Sequence, residues 1–150
     1  MKRTSRSTWL IAALTLLTAA LAMAYLATRD TAPIGTVRIE SPGKTADIAL
    51  SQLELSSIKG SILNGKGEEK VIETQGLPMS QLLQQNRFEG FSSVTVTADD
   101  AYSAAVTAEE IASPGRIYLT LQEDDGIRLL VFGDADSKRQ VSNVVKLYVQ

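Results

Sequence analysis

Short apolar runs separated by turn-forming residues fill the chain from Thr36 onward. In each run the apolar side chains alternate with polar ones or are rich in Val, Ile and Leu, which is the pattern of a β-strand. The dipeptide Asn64-Gly65 lies between two such runs and favours a hairpin over residues 58–73. The sequence therefore predicts seven to nine short strands, and those outside the hairpin cover residues 36–40, 47–50, 93–97, 102–106, 116–122, 127–132 and 144–149.

Two or three short helices are predicted between these strands. Ser51 and Thr107 each precede a Glu by three residues, and this capping-box pattern favours the start of a helix. The segment 76–86 predicts a third helix, because its apolar residues at helical spacing are Met79, Leu82 and Leu83, with Pro78 in the first turn. Since these helices alternate with hairpin-linked strands, we expect an α+β fold with a mixed β-sheet.

The N-terminal segment differs from the rest of the chain. Three basic residues precede the run WLIAALTLLTAALAMAYLA, residues 9–27, which carries no charge. A helix of about this length spans a bilayer, and basic flanks stay in the cytoplasm. The pattern predicts a cytoplasmic segment over 1–8, a transmembrane signal anchor over 9–27, a linker over 28–35 and a domain over 36–150 outside the cytoplasm.

A cleaved signal peptide is the alternative reading of the same segment. The tripeptide Ala22-Met23-Ala24 fits the small-residue pattern at which signal peptidases cut. Cleavage after Ala24 would release the domain as a secreted protein. The predicted localisation is therefore the cell membrane, with secretion as the alternative.

Composition excludes several chemistries. The chain has no Cys and no His, which excludes thiolate nucleophiles, disulfides, His general bases and nearly all zinc or copper sites. Residues 31–150 carry 11 basic and 16 acidic side chains, a net charge of −5. This charge disfavours nucleic acid and anionic membrane surfaces as partners.

The connection GDADSKR, residues 133–139, holds the best candidate site in the sequence. Ser137, Lys138 and Arg139 offer one hydroxyl and two cationic side chains, which together suit an anion or another ligand. Asp134 and Asp136 have the spacing that begins a calcium loop, but the Gly and Glu that complete that motif are missing. We therefore predict a ligand- or anion-binding site at residues 137–139 and no metal site.

Two acid-rich turns and two tyrosines are weaker candidates. The turns at Asp99–Asp100 and Glu123–Asp125 bring carboxylates together in sequence, but paired-carboxylate catalysis needs two carboxyls that face each other across a cleft. Tyr102 and Tyr118 lie on predicted strands, where tyrosines usually have cross-strand partners. No residue is assigned a catalytic role, and the sequence alone does not establish an enzyme.

Three segments in a fixed order carry a family resemblance. They read GLPMSQLLQQN, SVTVTADDAYSAAVTAEEI and RIYLTLQ…GIRLLVFGDADSKRQVSNVVKLYV, and they span about residues 70–149. This order resembles the sulfite oxidase-type molybdopterin-binding domain family, whose members tend to show a G-[VL]-P-L-x-x-L-L helix start and a terminal R-L-V-V-P-G motif. Ala101 and Phe132 stand where that family usually has Gly and Pro.

The resemblance implies a mixed-sheet α+β fold and a molybdopterin cofactor whose molybdenum is also held by one Cys. Because this chain has no Cys, we expect a membrane-anchored, extracytoplasmic, molybdopterin-binding-like domain that lacks molybdenum catalysis and acts as a ligand- or partner-binding accessory module. The alternatives are a cofactor-binding component of an extracytoplasmic molybdopterin oxidoreductase and a structural accessory subunit of a membrane complex. The expected partners are the membrane and a protein of a membrane redox or transport system.

Overall fold

The computed structural model describes residues 6–28 and 33–150, with side chains described for most of them. It divides into two compact units, residues 1–31 and 32–150. The first unit contains one helix, α1, over Arg6–Thr28. The second unit contains all the strands, so the boundary between the units lies close to the start of the predicted domain.

The predicted transmembrane anchor over residues 9–27 is wrong. A spanning segment needs about 20 predominantly apolar residues. Within residues 6–28 and 33–150, no helix combines the length and the apolar character that crossing a membrane requires. The predicted fold was therefore wrong in placing a transmembrane helix ahead of the α+β domain, and α1 is not such a helix.

The localisation and the membrane partner that we predicted depended on that helix. A single-pass location with the C-terminal domain outside the cytoplasm is overturned with it. Secretion after cleavage following Ala24, the alternative, is not tested by this finding and stays a prediction. Anchoring to the membrane through α1, and with it a place in a membrane redox or transport system, is likewise unsupported. The predicted cytoplasmic segment 1–8 and linker 28–35 fall partly outside the described residues.

The first sheet is mixed and has five strands, in the spatial order β2-β1-β9-β5-β6. Its strands are β1 (Thr36–Ser41), β2 (Lys44–Ala49), β5 (Ser93–Ala98), β6 (Ser103–Thr107) and β9 (Val144–Val149). β1 and β9 pair in parallel, with Ile39 opposite Leu147, whereas the other pairs are antiparallel. The parallel pair places an early strand and a late strand side by side at the centre of the sheet.

The second sheet is antiparallel and has four strands, in the order β3-β4-β7-β8. Its strands are β3 (Ser56–Leu63), β4 (Glu69–Pro78), β7 (Ile117–Leu121) and β8 (Ile127–Val131). Two short helices connect the sheets, α2 over Met79–Gln85 and α3 over Ala108–Ala112. The predicted α+β class therefore stands, but the strands form two sheets where a single mixed sheet was expected.

The main core joins both sheets with α2. It contains the inward-facing apolar residues of β1, β5 and β9 from one sheet and those of β7 and β8 from the other. The predicted face of α2 is confirmed, because its buried residues are Met79, Leu82 and Leu83. The burial of these side chains is the main stabilising contribution to the domain.

A second, smaller core lies under the β3–β4 hairpin. Its buried members are Ile58, Ile62, Leu130 and Phe132, and Tyr118 packs against them. β3 and β8 are opposite edges of their sheet, yet the N–H of Gly133, just after β8, donates to the carbonyl of Ser61 in β3 at 3.0 Å. The hairpin therefore curls back over the outer face of β7 and β8.

Some local predictions were confirmed and one was not. The hairpin turn forms at Asn64, whose side-chain oxygen accepts from the N–H groups of Lys66 and Glu68 at 2.9 Å. The helix predicted from Ser51 to about Ser57 is absent. A three-residue 3₁₀ turn stands there at Leu50–Gln52 instead, because Leu50 is fully buried and its N–H donates to the carbonyl of Gly35 at 2.8 Å.

Candidate functional site

Arg139 is the centre of a charged cluster that joins three segments. Its Nε and Nη2 donate to the two carboxylate oxygens of Asp134 at 2.6 and 2.9 Å. Its Nη1 donates to both oxygens of Glu110, at 2.8 and 2.9 Å. Arg116, immediately before β7, adds an ion pair to Glu110 at 3.3 Å. The cluster therefore ties α3 to the connection between β8 and β9.

Burial and hydrogen bonding set the charge states in this cluster. Hydrogen bonds from Arg139 hold the pKa of Asp134 below its usual value, against the opposing effect of burial. Burial acts to raise the pKa of Glu110, but hydrogen bonds from the Thr107 backbone and from Arg139 outweigh it and the net pKa is lowered. Hydrogen bonds to Asp134 and Glu110 raise the pKa of Arg139. All three groups therefore stay ionised at neutral pH.

Short polar contacts also hold the backbone of residues 133–140. Gln140 makes a two-point contact with Val131, donating from Nε2 to the carbonyl at 2.8 Å and accepting the N–H at 3.1 Å. Tyr102 donates from its hydroxyl to the carbonyl of Lys138 at 2.6 Å. Asp136 caps the following 3₁₀ turn by accepting from the N–H of Lys138. The connection is therefore a fixed part of the fold.

The three residues of the predicted anion site do not present their groups together. Arg139 already binds two carboxylates of the protein itself, and its side chain is only 24% exposed. Lys138 is exposed, and Ser137 is half-buried at the start of the 3₁₀ turn Ser137–Arg139. Their binding of an external anion stays a prediction. Asp134, one of the two carboxylates considered for calcium, is paired with Arg139.

The two acid-rich turns, in contrast, meet at one pocket. Asp99 and Asp124 line a cavity of about 280 Å³, together with Asn143, the segment Pro33–Thr36, Ile127 and Val144. Neither carboxylate has an ion-pair partner among the residues that the structure describes. We call this cavity the acidic pocket.

Several oxygen atoms converge at the edge of the acidic pocket, over Gly126. A methyl group placed on Gly126 would lie 2.9 Å from Asn143 Oδ1, 3.0 Å from Asp124 Oδ1 and 3.4 Å from Gln122 Oε1. Gln122 Oε1 is buried and has no hydrogen-bond partner among the described residues. The Gly126 N–H donates to Asp124 Oδ1 at 3.2 Å, so three acceptor oxygens converge where the protein supplies one donor. An excess of acceptors favours a positively charged or N–H-bearing group.

Sequence reasoning considered each acid-rich turn alone and could not pair them. Asp99 lies in the β5–β6 turn and Asp124 in the β7–β8 turn, and these hairpins belong to different sheets. Asn143 was missed because a single Asn before a strand carries no motif. In the structure the backbone of Asn143 has a φ of +53°, in the left-handed region that few residues other than glycine adopt.

The remaining sequence candidates have structural roles. Tyr118 packs against Phe132 with 5.5 Å between ring centroids, and Tyr102 bonds the Lys138 carbonyl. Across residues 6–28 and 33–150, no three carboxylates gather closely enough to hold a metal ion.

Comparison of the chain with protein-family models and with curated proteins found no match to either.

Proposed function

We propose that residues 33–150 form a small-ligand-binding accessory module without molybdenum chemistry, and that its ligand is an organic cation held in the acidic pocket. The observation that carries this proposal is the convergence of Asn143, Asp124 and Gln122 oxygens over Gly126. Among the described residues Gln122 Oε1 has no donor, and Asp124 Oδ1 accepts only from the Gly126 N–H. A primary ammonium group has three donors and no acceptor, so it complements such a set.

The walls of the pocket select an organic cation over a bare metal ion. Ile34 lines the pocket and is 80% exposed, so it offers apolar surface, whereas Ile127 and Val144 behind it are almost fully buried. Ligand sites commonly combine an apolar lining with a few converging polar groups that fix orientation. A short alkyl chain on the ammonium group would contact Ile34 while its charge lies between Asp99 and Asp124.

The residues present do not fit the molybdopterin that the family resemblance implies. The chain has no Cys to complete the coordination of molybdenum. A phosphate-bearing pterin also needs cationic side chains, but the guanidinium of Arg139 is taken up by Glu110 and Asp134. The acidic pocket would repel the phosphate. These features support a binding module in preference to a molybdenum oxidoreductase, and the resemblance itself remains a proposal about ancestry.

Calorimetric titration of the full chain with isobutylammonium chloride tests the proposal. Isobutyl alcohol is the matched neutral ligand, and calcium chloride tests a bare cation. We expect the ammonium compound to bind and the alcohol to bind at least about tenfold more weakly, since a hydrogen bond to a charged group contributes about 1.5–3 kcal/mol. Binding of calcium alone, or equal binding of amine and alcohol, contradicts the proposal.

Substitutions locate the site. Asp99→Asn with Asp124→Asn removes both charges and keeps the side-chain shape, so binding should weaken by at least about tenfold. Glu123→Gln is the control, because Glu123 is exposed on the same turn as Asp124 and does not line the pocket. A double variant that binds isobutylammonium as tightly as the unaltered chain would place the ligand elsewhere.

A further inference from the structure

A second cavity, lined by two cationic side chains, lies where the β1–β2 turn meets the loop after α2. It has a volume of about 320 Å³ and is lined by Lys44, by Arg87 and by the segment Phe88–Phe91, among others. It shares no lining residue with the acidic pocket. We call it the basic cleft. It lies in a domain whose overall charge is negative, so its cations are a local exception to that charge.

The ammonium group of Lys44 is held in place without being neutralised. Its Nζ donates to the carbonyls of Asn86 and Arg87, at 2.5 and 2.9 Å. It also lies 4.3 Å from the centroid of the Phe88 ring. All three partners are uncharged, so they orient the ammonium group and leave its positive charge available to a ligand.

Arg87 adds a second cation on the same side of the cleft. Its side chain is exposed, and within the described part of the chain it forms no ion pair. Glu89 is the one acidic side chain that lines the cleft. Gln150 also lines the cleft, and its main-chain oxygen accepts from the N–H groups of Ser92 and Ser93. Lys44 and Arg87 are therefore the groups at the cleft that could bind an anion.

The rest of the cleft offers apolar surface and backbone donors. Phe91 is half-buried and lines the cleft, so it offers ring surface to a ligand, whereas Phe88 is only 4% exposed and lies beneath the Lys44 ammonium group. Gly90 has a left-handed φ of +70°. No backbone hydrogen bond among the described residues uses the N–H of Glu89, Gly90 or Phe91. Successive free N–H groups beside a left-handed residue form a concavity that suits an anion.

We propose that the basic cleft binds a carboxylate that is attached to an aromatic or apolar group. The carboxylate would accept from Arg87, Lys44 and the free N–H groups, and the apolar part would lie against Phe91. Charge complementarity and the ring surface together favour this ligand class over inorganic phosphate, which has no apolar part. This inference goes beyond the proposed function, because it concerns another site and a ligand of opposite charge.

Titration of the ¹⁵N-labelled full chain with sodium phenylacetate tests the inference by NMR. We expect saturable shifts of the Glu89, Gly90 and Phe91 amide signals, and none of comparable size with phenylacetamide, the uncharged isostere. Arg87→Gln should weaken phenylacetate binding by about tenfold or more, because a charge-assisted hydrogen bond is lost. Lys66→Gln is the matched control, since Lys66 is an exposed cation in the β3–β4 turn and should leave binding unchanged.

Two sources of such a carboxylate are separated by a second titration. A tetrapeptide that ends in Phe with a free carboxylate is compared with its C-terminal amide. Tighter binding of the acid peptide than of phenylacetate assigns the cleft to chain ends, and the reverse order assigns it to free acids. Absence of saturable phenylacetate binding overturns the inference. So does phenylacetate binding that Arg87→Gln leaves unchanged.

Discussion

Gly60 is the residue that permits the β3–β4 hairpin to close on β8. A Cβ at this position would lie 2.4–2.7 Å from ring atoms of Phe132. Gly60→Ala should therefore lower the free energy of unfolding by about 1–3 kcal/mol, the usual cost of overpacking. Chemical denaturation monitored by circular dichroism measures the change.

Gly65→Ala is the matched control for this substitution, because nothing lies within 4 Å of the Cβ it would add. A second variant, Gly60→Ala with Phe132→Leu, should recover part of the loss by shortening the opposing side chain. Equal unfolding free energies for Gly60→Ala and Gly65→Ala would show that the ring is free to move away.

Ala101 is strained in the β5–β6 turn. It has a φ of +68°, in the left-handed region, and its N–H donates to the carbonyl of Ala98. A side chain in that region costs about 1 kcal/mol relative to glycine. Ala101→Gly should therefore raise the unfolding free energy by about 0.5–1 kcal/mol in thermal or denaturant unfolding.

Ala105→Gly is the control for this turn, because Ala105 lies in β6 with extended backbone. It should destabilise the domain by about 0.5–1 kcal/mol, the opposite sign. Loss of stability in both variants would contradict the assignment of strain to Ala101. The sequence pointed to this position only indirectly, as an Ala where the resembled family usually has Gly.

At the scale of elements, the charged cluster of Arg139 links stability to pH. The pKa values of Asp134 and Glu110 are lowered in the folded protein, so their ionised forms stabilise it fully above the unfolded pKa values, near 4. This contribution is lost as the pH falls through the lowered, folded values. Arg139→Met should cost about 2–4 kcal/mol at pH 7, because Asp134 is only 7% exposed and loses its partner.

Urea unfolding of Arg139→Met across pH 2–8 checks this. The difference from the unaltered protein should narrow as the pH drops below about 4, where the carboxylates become protonated. Lys59→Met is the control, because its ion pair with Glu73 is about two-thirds exposed on both sides and should contribute about 0–1 kcal/mol. A pH-independent deficit would assign the role of Arg139 to packing alone.

Most strands were predictable and their arrangement was not, for a physical reason. Alternation is a local pattern, so β1, β5 and β9 were located from their own residues. Division into two sheets depends on contacts between distant segments, such as Gly60 with Phe132. The same limit applied to the sites, because Arg139 meets Glu110, which is 29 residues away, only after folding.

At the scale of the whole molecule, the unit that carries both pockets has its own core. The buried apolar residues of the main core and of the second, smaller core all lie between Val37 and Val149. A chain that contains only residues 32–150 should therefore fold cooperatively. Its free energy of unfolding should match that of the full chain within about 0.5 kcal/mol. Calorimetry of both chains at equal concentration measures this, and a non-cooperative transition in the short chain would contradict it.

The parallel pairing of β1 with β9 also affects how the protein is made. β9 is the central strand of its sheet and the last strand in the chain, and it separates β1 from β5. During synthesis β1 leaves the ribosome about a hundred residues before its parallel partner β9. The hairpins β3–β4 and β7–β8 can form as they emerge, whereas the five-stranded sheet must wait for residues 144–149. A nascent chain stalled before Val144 would expose edges of both β1 and β5, so we expect it to be especially prone to aggregation.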